Sequence, residues 1–193
     1  MDIEIHELEL FCNRWLDKAN SYPNHLAGDF DKFASLYVAY NRVYTEVGKV
    51  LIAQGKVEPS KKRKKYAPLP DRESATSHIV DYYGESDLGN ELANDPCCKQ
   101  AVETLAKLIL EKRFYLHVDY QTGNPDSAKD AKLAKEAQKY QPKSVLELIY
   151  QARCNLFHGT KGFEDRQHIL LDNMSVVVKF VTQKVLEKLK QDL

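Results

Sequence analysis

Seven large side chains, Phe30, Phe33, Tyr37, Tyr40, Tyr44, Val47 and Leu51, recur at alternating spacings of three and four. That period puts all of them on one face of a helix over about residues 29–54. A stripe so broad and aromatic must be covered by other apolar faces, and the chain supplies them at the same period. Ile5, Leu8, Cys12, Trp15 and Ala19 mark a first helix that stops near Asn20 to Pro23. Val102, Leu105, Ile109 and Leu116 mark another, with Pro96 near its first turn and its end expected before Asp119. Val145, Leu148, Ala152 and Leu156 give the buried face of a helix introduced by Pro142 and Ser144, with Gly159 as its left-handed terminator. Met174, Val178, Val181, Val185 and Leu189 form a last helix, with Asp172 as N-cap candidate.

Residues 74–93 read as short helices interrupted at Gly84 and Gly89. Strand-like alternation and internal repeats are missing. The expected class is therefore all-α, an up-and-down bundle of four long helices with additional short helices and a helical surface insertion. Residues 1–193 are taken as one domain, the default for this length. Residues 55–72 hold the run Lys61-Lys-Arg-Lys-Lys65 with Pro68 and Pro70, and read as a solvated basic loop. An RNA-contacting patch is the sharper alternative for that run. Residues 119–142 are rich in Ala, Lys and Glu with few large apolar side chains, and read as a surface insertion.

Composition narrows the function classes. Lys plus Arg and Asp plus Glu are each 28, so no global positive field holds nucleic acid, and any RNA contact has to come from a local patch. The start of the chain has no signal-peptide pattern and no segment is apolar enough to span a bilayer, which predicts a soluble, cytoplasmic protein without membrane partners. Cys12, Cys97, Cys98 and Cys154 lack zinc-site spacing and are expected to be reduced structural thiols. His6, His25, His78, His117 and His168 show no metal-ligand spacing, and no Walker or dinucleotide-binding loop is present, so no metal or other cofactor is expected.

Chemistry concentrates at the end of the helix over 143–158. Arg153 lies four residues after Ile149 and four before Phe157, on an apolar face, so its guanidinium must snorkel to water or meet an anion. His158 follows five positions later, about 140° round the helix, so the two side chains do not meet along one helix. A two-fold dimer pairing this helix with itself gathers two copies of each residue in one cleft. Such a site suits RNA transesterification: an imidazole titrating near neutrality acts as general base and acid at the 2′-hydroxyl, while arginine binds the scissile phosphate. Asn155 is a candidate for orienting base or phosphate, and Lys161 for adding charge at the cleft mouth; the plainer role for both is a solvated polar residue near a helix end.

The run Arg153-Cys-Asn-Leu-Phe-His158-Gly-Thr-Lys161 resembles the R-x4-6-H motif of HEPN domains, including the Apea-like and RiboL-PSP-HEPN-like relatives. The segment from Phe33 to Tyr44 is similar to the aromatic-rich helix with a central Asn, here Asn41, of the same families. With the last helix, the resemblance reaches most of the helical core and leaves out the basic loop and the 119–142 insertion. It implies an all-α bundle, a homodimer through the motif helices, and in many members a metal-independent RNase with a toxin or antiviral defence role. A cognate antitoxin or other protein partner belongs to that picture. The position after the arginine, Asn, Asp or His in the families, is Cys154 here, with Asn155 next. The alternative is a non-catalytic HEPN-like module that binds a nucleotide or a protein.

Overall fold

A computed structural model describes residues 4–59, 69–119, 121–157 and 167–193. The fold is all-α; among the described residues the β content is one isolated bridge between Val118 and Pro125. No described helix is long and apolar enough to cross a membrane. The basic run at 61–65 lies outside the described residues. Contacts group the chain into two compact units, Met1–Gly84 with Val178–Leu193, and Glu85–Val177.

The first unit contains α1 (Ile5–Asn20), α2 (Leu26–Ala53), α3 (Asp71–Glu73), a π-helical turn (Ser74–His78), α4 (Ile79–Tyr83) and the later part of α9 (Gln167–Asp192). Helix α1 buries Leu8, Cys12, Leu16 and Ala19. Trp15 is only half-buried, with the Lys18 ammonium 4.7 Å from its ring centroid. At the start of α2, His25 Nδ1 accepts from the Gly28 N–H at 3.1 Å and caps the helix. Gly28 is required there, because a Cβ would come within 1.9 Å of the Pro23 carbonyl oxygen.

The aromatic stripe is the core of this unit. Tyr37, Tyr40 and Tyr44 stack edge-on along α2, with centroids 5.6 and 5.3 Å apart. Two of the hydroxyls reach the next helical stretch: Tyr40 donates to the Ala75 carbonyl at 2.5 Å and Tyr44 to Asp71 at 2.6 Å. The π turn at Ser74–His78 departs from the i to i+4 pattern and presents that Ala75 carbonyl to Tyr40. Gly84 ends α4 at φ +102°, as the sequence suggested. On α9, Val178, Val181, Val185 and Leu189 are fully buried, and Tyr82 donates to Asp192 at 2.7 Å.

The second unit contains α5 (Glu85–Asn94), α6 (Pro96–Leu110), α7 (Ser127–Ala137), α8 (Pro142–Phe157) and the first part of α9. Three features differ from expectation. Gly89 does not interrupt a helix but lies inside α5, where a Cβ would stand 2.9 Å from the Tyr140 carbonyl oxygen. Helix α6 stops at Leu110, not near 118, because Lys112 turns left-handed (φ +58°). The Lys112 N–H then donates to the Ile109 carbonyl and the Arg113 N–H to that of Leu108, closing the helix in a Schellman-like turn. Leu116 is buried from an extended stretch instead. Helix α9 begins at Gln167, so Asp172 is inside it and not its N-cap; the buried Leu170 and Leu171 carry the apolar stripe further upstream.

The 119–142 stretch is helical over Ser127–Ala137, with lysines on its solvent side. Its inner side is narrow, made by Ala134, Ala137 and the carboxylate of Asp130, and it packs on α6 and α8.

Candidate functional site

Helix α8 starts at Pro142, a first-turn position where a missing N–H costs little. The Ser144 hydroxyl donates to Glu136 at 2.6 Å and ties that start to α7. Val145, Leu146, Leu148, Ile149 and Ala152 bury its inner face. In its last described turn the polar residues divide. Arg153 is half-buried, and its guanidinium carbon lies 5.2 Å from the ring centroid of Phe157, one turn on and 46% exposed. Of the apolar neighbours expected for Arg153, Phe157 is the one its charge stacks on. His158 and Lys161, the proposed imidazole and the second cation, lie outside the described residues, as does Gly159.

Asn155 points the other way. It is 9% exposed, not a solvated residue at a helix end. Its amide nitrogen donates to the Leu116 carbonyl at 2.8 Å, and its oxygen accepts from Gln151 at 3.0 Å. Asn41, the remaining candidate, is half-buried on α2 in the other unit, where its carbonyl accepts from the Thr45 hydroxyl at 2.8 Å.

The bond from Asn155 leads to a cluster that sequence reasoning missed. Asp130 is 2% exposed on α7, and its carboxylate accepts from the Leu116 N–H at 2.7 Å and the His117 N–H at 3.3 Å. His117 Nδ1 lies 2.7 Å from the other oxygen of Asp130 and must be the donor, since a carboxylate only accepts. His117 is itself 5% exposed, and its Nε2 is buried without a hydrogen-bond partner. Residues 114–118 therefore form a strap, held to α7 by Asp130 and to α8 by Asn155. A signal existed in the sequence: Asp130, Ala134 and Ala137 share a helix face, and a carboxylate on an otherwise small-residue seam needs donors.

Among the described residues the buried thiols offer no competing centre. Burial pushes the Cys12 thiol up to about 11 despite the opposing Arg42 charge, and raises that of Cys98 further, so neither is a ready thiolate. Cys97 is exposed and Cys154 half-buried beside Arg153. Among the described residues no group of three or more His, Cys, Asp or Glu side chains is arranged to hold a metal ion. Compared with family models, curated proteins and solved structures, the chain matches none.

Proposed function

We propose that the chain is a metal-independent endoribonuclease of HEPN type, working as a homodimer through α8 in a toxin or antiviral defence role. The observation that carries this reading is the motif from Arg153 to His158, with the Arg153 guanidinium presented over a half-exposed Phe157 at the end of α8. In this scheme Arg153 binds the scissile phosphate bidentately and offsets the charge of the pentacoordinate transition state. His158 takes the 2′-hydroxyl proton and returns one to the 5′-oxygen leaving group, giving a 2′,3′-cyclic phosphate and a free 5′-hydroxyl. Lys161 adds positive charge at the mouth.

One observation favours the second reading, a non-catalytic module that binds a nucleotide or protein. Asn155 is buried and bonded to Leu116 and Gln151, so it holds the helix end and does not serve a substrate. The polar helper expected after the arginine is then missing, since Cys154 occupies that place.

Purified protein incubated with RNA in EDTA separates the two. Cleavage that falls at least 100-fold in Arg153→Ala and in His158→Ala, with dimers retained in all three proteins, supports the enzyme. Cleavage persisting in both variants would sink the site, and strictly monomeric elution at micromolar concentration would sink the shared cleft.

A further inference from the structure

Between the C-terminal end of α6, the 114–118 strap and α7 lies a cleft of about 240 Å³. Leu110, Phe114, Pro125 and Ala131 wall it, Tyr115, 44% exposed, stands at its side, and Lys112, Ser127 and Asp130 complete it. The volume falls below the roughly 300–1,000 Å³ of pockets for drug-sized ligands, and matches one flat heterocycle better than a whole cofactor.

Charge points the same way. Lys112 and Arg113 are both exposed where α6 ends, immediately before Phe114 and Tyr115. The nearby carboxylates make bonds of their own while keeping their charge: Glu111 faces Lys107 at 3.9 Å, Asp119 accepts from the Gln121 and Thr122 N–H groups, Asp126 caps α7 through the Lys129 N–H, and Asp130 holds the strap. Two cations followed by two aromatic rings, in a chain whose net charge is zero, make a local patch of the kind that binds single-stranded nucleic acid. The residue after Tyr115 is Leu116, whose carbonyl accepts from Asn155 on α8, two positions past Arg153.

Resting on the ribonuclease reading, we infer that this cleft holds one unstacked base of a single-stranded RNA substrate, stacked on Tyr115, with a flanking phosphate on Lys112. The cleft would then select one nucleotide of the bound strand. Arg153 and His158 perform the chemistry and Tyr115 is a positioning residue.

The test uses the full chain and short single-stranded RNA oligonucleotides, with cleavage kinetics for the parent and anisotropy binding in the Arg153→Ala background. Tyr115→Ala removes the stacking face, and Ala131→Trp fills the cleft from α7; thermal melting checks that both fold. Roughly tenfold weaker RNA binding and a KM raised by the same factor with kcat held are expected for each. Lys112→Gln should reduce the slope of log K against log salt by about 0.7.

If the parent cleaves RNA and both variants match it in KM, the cleft is overturned while the ribonuclease reading stands. If the parent binds but does not cleave, and the variants bind about tenfold worse, the cleft stands and the catalytic reading falls. A parent that neither binds nor cleaves overturns both.

Discussion

The aromatic face of α2 and the centre of the 114–118 strap, Leu116 and His117, are both buried, and they are held by opposite means. On α2 the order comes from large side chains: Phe33, Tyr40, Val43, Val47 and Leu51 are almost fully buried, and tyrosine rings stack edge to face. The strap has one large buried apolar side chain, Leu116, and is fixed by a carboxylate that accepts from two backbone N–H groups and an imidazole. Burial of apolar area is non-directional and tolerates small shifts of neighbouring atoms. Buried hydrogen bonds are directional and fail when one partner is lost. The first kind of region is sturdy in bulk; the second fixes particular backbone atoms.

The largest expected effect is on the α2 side. Phe33 is fully buried, so Phe33→Ala loses the transfer energy of the ring and leaves a cavity, about 3–5 kcal/mol together. Urea denaturation of the parent and variant measures it. A loss below about 1 kcal/mol would mean that the stripe does not dominate this unit.

Asp130→Ala tests the other side. It strands the N–H groups of Leu116 and His117 and the His117 ring in a buried place, at a cost of about 1–3 kcal/mol in unfolding free energy. The distribution of the damage matters more than its size. Hydrogen exchange should speed up strongly at the amides of Leu116 and His117 and far less along α2. Uniform acceleration over both regions would break the comparison, since the carboxylate would then support the protein as a whole and not the strap.

The same contrast explains what the sequence made legible. Helix period is written in large apolar residues, so α2, the face of α8 through Val145, Leu148 and Ala152, and the valine row of α9 could be read directly. Leu116 misled for a physical reason: it continues the α6 stripe in number, but Lys112 has already turned the chain, and a left-handed lysine carries no marker comparable to a glycine. Gly89 misled in the opposite sense, since it looks like a breaker and is a point of close backbone approach. For the candidate site, the motif could be read as letters, but the direction of Asn155 could not. Its burial depends on the Leu116 carbonyl, 39 residues away in sequence.

The smallest expected effect concerns a buried polar group inside the apolar unit, and so tests how clean the division is. His78 lies in the π turn, nearly buried, with Nδ1 lacking a hydrogen-bond partner. Burial lowers its pKa from the usual value near 6.5, and the opposing charges of Asp81 and Glu73 do not offset it. The unfolded chain therefore takes up the proton first as pH falls. Above about 6.5 both states are neutral at this residue and it contributes no pH dependence; below that value stability drops, by at most about 1.4 kcal/mol per pH unit for one proton, until the folded-state pKa is reached. Urea midpoints measured from pH 7.5 down to 5 should fall for the parent and fall less for His78→Gln, which has no proton to gain. Parallel curves would place the titrating group elsewhere and leave the π turn as a packing feature against α2.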